Sequence, residues 1–470
     1  MRAPLRHASL ALAVAALTVT GAGAATATTG TSAAVHVGDR PGVQLFQWTW
    51  TAIAAECPSL ADSGFGFVVT SPPQESVSGP QWWTSYQPVS YALTSKLGTP
   101  QAFAAMIEAC HGAGLAVVTD AVLNHMAAGD GVGTGGTRYR HYDYPGLWSA
   151  ADFHHCGLTP DDDIANYQDA TEVQTCELLN LADLDTGRAN VRRRLRQYLA
   201  DLVGLGVDGL RIDAAKHISA DDLAAILDGL PGDPAVFSEV IRGGGEPVTP
   251  EQYVRFGRVY EFAYAQRLSP GLSLSIPDRI VTADDGVLAS SSAVSFVENH
   301  DTERNGQSVT RTNRAAHRLA EIVLLADDYG LPILYSGYDF TSRDEGPPAN
   351  PDGTVIDAAC GVPPWTCAHR APHVSTMLHF RATVGAEPAV TTVAGTLVAF
   401  ARGARGLAVV NVSGAASAAP IATTMPDGRY CNLLAATCAG DAVITVAGGS
   451  ASVSAGGNDA VVIDVDHPAR

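Results

Sequence analysis

Gly206-Val-Asp-Gly-Leu-Arg-Ile-Asp-Ala-Ala-Lys-His217 begins as a short apolar run and ends polar. Val207, Leu210 and Ile212 suit a buried strand that stops near Asp213. Arg211 and Asp213 alternate with Leu210 and Ile212, so the two charged side chains share one face. A charge pair on a buried strand is costly unless something uses it. Taken alone, Arg-x-Asp reads equally well as a strand-end salt bridge, and the rest of the chain must decide.

Working outward, strands alternate with helices from residue 43. Apolar, β-rich runs fall at 43–48, 66–70, 115–119, 210–212, 235–237, 259–262, 294–297 and 331–335. A helix is expected over 51–60. Another opens at Thr99-Pro100, with Thr99 as N-cap and proline at the first helical position. Phe103, Met106, Ile107 and Cys110 form its apolar stripe. Repeated βα units argue for a parallel sheet, and eight strands is the count of a closed (β/α)8 TIM barrel. Residues 126–184 are rich in Gly, Asp and Tyr without helical period, so they read as a lobe inserted after strand 3. From 385 to 470, short Val/Thr/Ala strands separated by turns read as a C-terminal all-β sandwich. The barrel then comprises 37–125 and 185–384.

Composition narrows the function. The 470 residues carry a formal charge of −19. This acidity argues against nucleic acid and anionic membranes as partners and is compatible with a neutral substrate. Lys96 and Lys216 are the only lysines. Arg2 and Arg6, an apolar run over 10–19 and Ala22-Gly-Ala24 have the form of a secretory signal, residues 1–24. The run is too short to span a bilayer. A flexible stretch, 25–36, follows. The mature protein is expected to be secreted and extracellular. Eight cysteines in such a chain suggest disulfides. Cys360 with Cys367 and Cys431 with Cys438 are local staples; Cys57 with Cys110 and Cys156 with Cys176 follow by elimination.

In such a barrel, strand ends build the site. Here they carry Asp120, Asp213, Glu239 and Asp301, joined by His125 and His300. One carboxylate there is ordinarily a structural ion pair. Four converging on one rim raise each other's energy and so point to use. The histidines are expected to donate hydrogen bonds to a polar ligand. Trp82, Trp83 and Tyr86 follow strand 2 among loop-forming residues, and flat aromatic faces beside carboxylates suit a sugar.

These motifs resemble a known family. Asp120-Ala-Val-Leu-Asn-His125, Gly209-Leu-Arg-Ile-Asp-Ala-Ala-Lys-His217, Glu239-Val-Ile241 and Glu298-Asn-His-Asp301 are similar, in order and spacing, to the four sequence regions of α-amylases in the retaining (β/α)8 glycoside hydrolase clan. Trp82-Trp-Thr-Ser-Tyr86-Gln87 resembles the animal-type branch and its secreted bacterial relatives. The resemblance implies endo-hydrolysis of α-1,4-glucosidic bonds in starch, with α-1,4-glucan oligosaccharides as partners and a monomeric enzyme. An alternative within the clan is release or transfer of maltose-sized units; another is a non-catalytic glucan-binding protein. It implies Asp213 as nucleophile, Glu239 as acid and base, and Asp301 in support. Trp82, Trp83, Tyr86, Gln87, Asp120, His125, Arg211, Lys216 and His300 become substrate-site residues, with Arg211 keeping Asp213 ionised. It further implies Ca²⁺ held by Asn124, Asp183, His217 and the carbonyl of Gln174. Two departures stand out. The glycine-rich loop of mammalian members is replaced by the short, polar 302–307. Chloride, which animal-type members hold between two basic residues and an asparagine, is not expected: Arg211 and Asn299 match, but Ile333 takes the second basic position.

Overall fold

The computed structural model describes residues 35–268 and 286–469. The expected signal segment, and most of the stretch after it, lie outside these residues. Eight parallel strands close a barrel. In chain order the first three are β1 (Gly42–Leu45), β2 (Phe67–Thr70) and β3 (Ala116–Val122). Two short strands in the segment that follows, β4 (Gly131–Val132) and β5 (Arg138–Tyr139), pair with each other. The barrel resumes with β6 (Gly209–Asp213), β7 (Ala235–Ser238), β8 (Arg258–Tyr260), β9 (Ala293–Ser295) and β10 (Leu331–Ser336). Around the barrel the order is β1-β10-β9-β8-β7-β6-β3-β2. All eight expected strands are present, with the ends shifted by a few residues.

The barrel interior is filled by Phe67, Val69, Val118, Phe237, Phe296 and Ile333. Gly42 is required there, because a Cβ would lie 2.2 Å from the Phe67 ring. Outside, helices Trp50–Ser63 and Pro100–Gly112 start where Thr49 and Thr99 accept the first free amides, from Ala52 and Ala102. The Cys57–Cys110 disulfide joins these two helices, and the other three pairs form as expected.

Beyond helix Pro372–Val384 come β11 (Ala389–Ala394), β12 (Leu397–Arg402), β13 (Gly406–Asn411), β14 (Ser417–Ala422), β15 (Gly428–Cys431), β16 (Val443–Ala447), β17 (Ser450–Ala455) and β18 (Asp459–Asp464). They form two four-stranded antiparallel sheets, β11-β12-β13-β18 and β14-β17-β16-β15. Leu407, Val409, Ile444, Val453 and Ile463 fill the core between them. The first sheet docks on the barrel through Arg402. Its buried guanidinium donates to the carbonyls of Ala326 (2.9 Å), Gly385 (3.0 Å) and Glu387 (2.7 Å). The first two lie at the C-terminal ends of helices Arg314–Ala326 and Pro372–Val384, where orphan carbonyls favour a cation.

Candidate active site

Register decides what meets at the rim. β3 and β6 pair Asp120 with Arg211 and Val122 with Asp213. β6 and β7 pair Ile212 with Ser238, and the amide of Glu239 extends that ladder to the carbonyl of Ile212 (3.0 Å). Three carboxylates therefore surround one guanidinium. Arg211 Nη1 donates to both oxygens of Asp120 (2.6 and 2.7 Å) and to Asp213 Oδ1 (3.0 Å). Nη2 donates to Glu239 Oε1 at 2.5 Å. Glu239 Oε2 accepts from the amide of Ala214 at 3.0 Å. Ala214 sits in the left-handed region (φ 47°), a strained turn that ends β6 and lets its amide reach the carboxylate.

Asp120 and Arg211 are completely buried and form the floor. Above it lies a cleft of about 740 Å³. Of the substrate-site residues expected from sequence, Trp82, Trp83, Tyr86, Gln87, His125, Lys216 and His300 line this cleft, with Asp213, Glu239 and Asp301. Burial raises the pKa of Asp213 and of Glu239, and Arg211 pulls both down. The charge of Asp301 pushes both up further, and Asp213 and Glu239 raise each other. Two mutually repelling carboxyls on one cation are suited to holding one proton between them.

The histidines take definite tautomers. His300 Nδ1 accepts from Gln44 Nε2 (3.4 Å), leaving Nε2–H directed at the rim, 3.5 Å from Asp301 Oδ2. Its ring is stacked between Phe46 (4.8 Å) and Tyr86 (4.9 Å). His125 departs from expectation. Its Nε2 is 3.0 Å from the Tyr86 carbonyl, which can only accept, so the proton is committed there. The other nitrogen, Nδ1, is buried and unpartnered. Burial lowers its pKa to about 4, so His125 offers a ligand an acceptor and not a donor. Lys216 donates to the Ile241 carbonyl (2.8 Å) and to Glu246, and lies 5.2 Å from the Tyr167 ring.

The expected metal ligands fall into two neighbouring pairs. Asn124 Nδ2 donates to Asp183 Oδ1 (3.0 Å). His217 Nδ1 donates to the carbonyl of Val173 (2.9 Å), the residue before Gln174. The Gln174 side chain itself turns to the Tyr253 hydroxyl (3.3 Å). Asp183 is buried, which pushes its pKa up to about 7 despite His154 at 2.6 Å. A buried carboxyl with an amide oxygen beside it is a hard-oxygen donor set that fits Ca²⁺.

Sequence reasoning missed several contributors. Lys96 stood out only by rarity; its ammonium holds the Gln81 carbonyl (2.6 Å) and the Thr84 hydroxyl (2.9 Å) behind the aromatic turn Trp82–Tyr86. Arg304 falls in the short segment that replaces the glycine-rich loop. It donates to the His300 carbonyl (3.0 Å) and lies within 5.5 Å of the Phe46, Trp82, Tyr338 and Phe340 rings. Tyr167, Leu179 and Arg343 also line the cleft. None belongs to a motif, and only aromatic or cationic character among loop residues hinted at them.

Arg211 should dominate local electrostatics. In Arg211→Met, Asp120, Asp213 and Glu239 lose the cation they share, and the folded-state pKa values of Asp213 and Glu239 rise further above the ordinary values of 3.8 and 4.5. Burial already takes Asp120 to about 8. Groups raised on folding bind extra protons in the native state, so stability falls as pH rises through this window. We expect a deficit of about 3–5 kcal/mol near neutrality, growing between pH 4 and 8 relative to wild type. Equal deficits at both ends of that range, from denaturant titrations, would refute the electrostatic account.

Comparison with known proteins agrees with this geometry. The profile for the alpha-amylase catalytic domain matches residues 81–233. The chain is 44% identical over 398 residues to an alpha-amylase of Streptomyces violaceus, covering 83% of this chain and 68% of the relative. Among solved structures, alpha-amylase I of Eisenia fetida matches with a TM-score of 0.86 at 31% identity, covering 91% of this chain and 97% of that one. A point variant of the same enzyme, solved as a maltohexaose complex, matches with a TM-score of 0.85. With this identity, coverage and fold, the chain belongs to the alpha-amylase family.

Proposed function

We propose that the protein is a secreted endo-acting α-amylase that hydrolyses internal α-1,4-glucosidic bonds of starch with retention of configuration. The observation that carries this reading is the pair Asp213 and Glu239 on one guanidinium at the floor of an aromatic-walled cleft. Asp213, ionised beside Arg211, attacks the anomeric carbon. Glu239 donates its proton to the leaving oxygen, then takes one from the incoming water as the glycosyl ester is released. Retention needs the two carboxyls ~5–5.5 Å apart. Asp301 and the Nε2–H of His300 hold sugar hydroxyls, His125 accepts from one, and Trp82, Trp83 and Tyr86 stack on glucose rings. The cleft suits oligosaccharides, and the maltohexaose bound to the related earthworm enzyme supports that substrate class. Secretion is supported by four disulfides; no helix among the described residues is long and apolar enough to cross a membrane.

Iodine staining with product sizing on soluble starch tests the reading. Rapid loss of colour marks endo cleavage; slow loss with one small product marks maltose release. No loss, with binding retained, marks a non-catalytic glucan-binding protein. Glu239→Gln keeps the shape but removes the proton donor, so turnover should fall about 10²–10⁴-fold while maltohexaose still binds. Retention of more than about a tenth of wild-type kcat would contradict the assignment.

Asn124, Asp183 and the carbonyls of Gln174 and His217 would hold Ca²⁺, which when bound neutralises the buried Asp183 and ties the inserted segment to the rim. Exhaustive dialysis against chelator should lower Tm and activity together; an unchanged Tm would argue against the site.

Chloride is not needed in this proposal. Ile333 lies in the apolar barrel core and Arg211 already faces three carboxylates. The charges of Asp213 and Asp301 raise Glu239 in place of an anion. Activity should be nearly equal in chloride and chloride-free buffer. Several-fold activation by millimolar chloride would show that another residue supplies the missing positive charge.

A further inference from the structure

Far from the cleft, helix Pro372–Val384 packs against the end of β18, and three side chains meet at this seam that the hydrolysis does not use. His379 is exposed on the helix. Asp464 ends β18 with its side chain fully buried, and His467 follows three residues later. His467 Nδ1 is 2.7 Å from Asp464 Oδ1, and the two imidazole rings are 5.2 Å apart, near perpendicular at 77°. One ligand-capable atom from each residue lies within 4.8 Å of the others. Asp464 Oδ1 also accepts from the amide of Asp466 (3.1 Å). Oδ2 is equally buried yet has no hydrogen-bond donor among the described residues. Buried polar atoms are rarely left so, and an unpaired carboxylate oxygen beside two imidazoles points to a cation.

We propose that His379, Asp464 and His467 form a binding site for one divalent transition-metal ion of the zinc class. Two imidazoles and a carboxylate, with a water in the fourth position, make a tetrahedral zinc donor set. Zinc bonds of about 2.0–2.2 Å place ligand atoms roughly 3.3–3.6 Å apart. Rotation of the two solvent-facing rings closes the present separation. As the metal takes the place of the Nδ1 proton that His467 shares with Asp464, that proton is exchanged through solvent to Nε2, and the neutral imidazole binds through Nδ1. Imidazole ligation separates this site from a calcium site, which takes oxygen alone. The other cluster of this kind, Glu56, Cys360 and His369, is closed to metal because Cys360 is in a disulfide with Cys367. The bound ion would bridge the chain's tail to the last barrel helix, adding to the hydrogen bond from Thr383 Oγ1 to Asp466 Oδ2 (3.0 Å).

The test uses the full-length, calcium-loaded enzyme and zinc alone, followed by calorimetric titration, with cobalt absorption as a second readout. Wild type should bind one zinc at this site, give a tetrahedral cobalt spectrum and gain Tm. His379→Gln and His467→Gln should each weaken zinc at least about tenfold and lose both the spectrum and the Tm gain. His155→Gln, elsewhere on the surface, should behave as wild type. His379 is exposed, so its variant keeps the fold. Unchanged zinc affinity in both seam variants, or no binding by wild type at millimolar zinc, would overturn the proposal.

Discussion

One buried guanidinium holds the rim of this barrel together. Arg211 faces Asp120, Asp213 and Glu239 at hydrogen-bond distance, and Asp301 stands near enough to raise Glu239. Four carboxyls on one cation cannot all be neutralised by it. The imbalance leaves excess negative charge in a dry site, where like charges push protons back on. Within the cleft Asp213 and Glu239 face each other and Asp301. They differ in how they sit around the cation: Asp213 shares Nη1 with Asp120, whereas Glu239 has Nη2 and the Ala214 amide.

The surroundings serve the same arrangement. The strained turn at Ala214 brings an amide to Glu239. Asn299 Oδ1 accepts from the amides of Asp301 and Thr302 (3.1 and 2.8 Å), fixing the turn that presents His300 and Asp301. Arg304 and Lys96 stand behind the aromatic wall, one through ring faces, the other through the backbone of the turn. Both side chains are buried, and neither touches the cleft's carboxylates. Their work is positional: they fix the turn that carries Trp82 and the rings around it.

Much of this was legible in the sequence because barrel physics is local and repetitive. Strands such as Ala116–Val122 announce themselves as apolar runs, and polar residues just past them must lie on one face. Thr99-Pro100 marked a helix start that the structure places at that point. Tautomers were not legible: His125 becomes an acceptor only because the Tyr86 carbonyl occupies its Nε2. His154, which pairs with Asp183 across 29 positions, carries no local signal either. The same holds for His379 and Asp464, brought together by docking of the C-terminal sheet on the last barrel helix. Pattern predicts elements; contacts between distant elements decide protonation and ligation.

The central claim is that Asp213 and Glu239 act as nucleophile and acid/base in a double displacement. The most direct measurement is the anomeric form of the first product. Proton NMR of maltohexaose cleavage, followed before mutarotation, should show the α-anomer of the new reducing end accumulating first. Initial appearance of the β-anomer would mean single displacement by water, and Asp213 could not be the nucleophile.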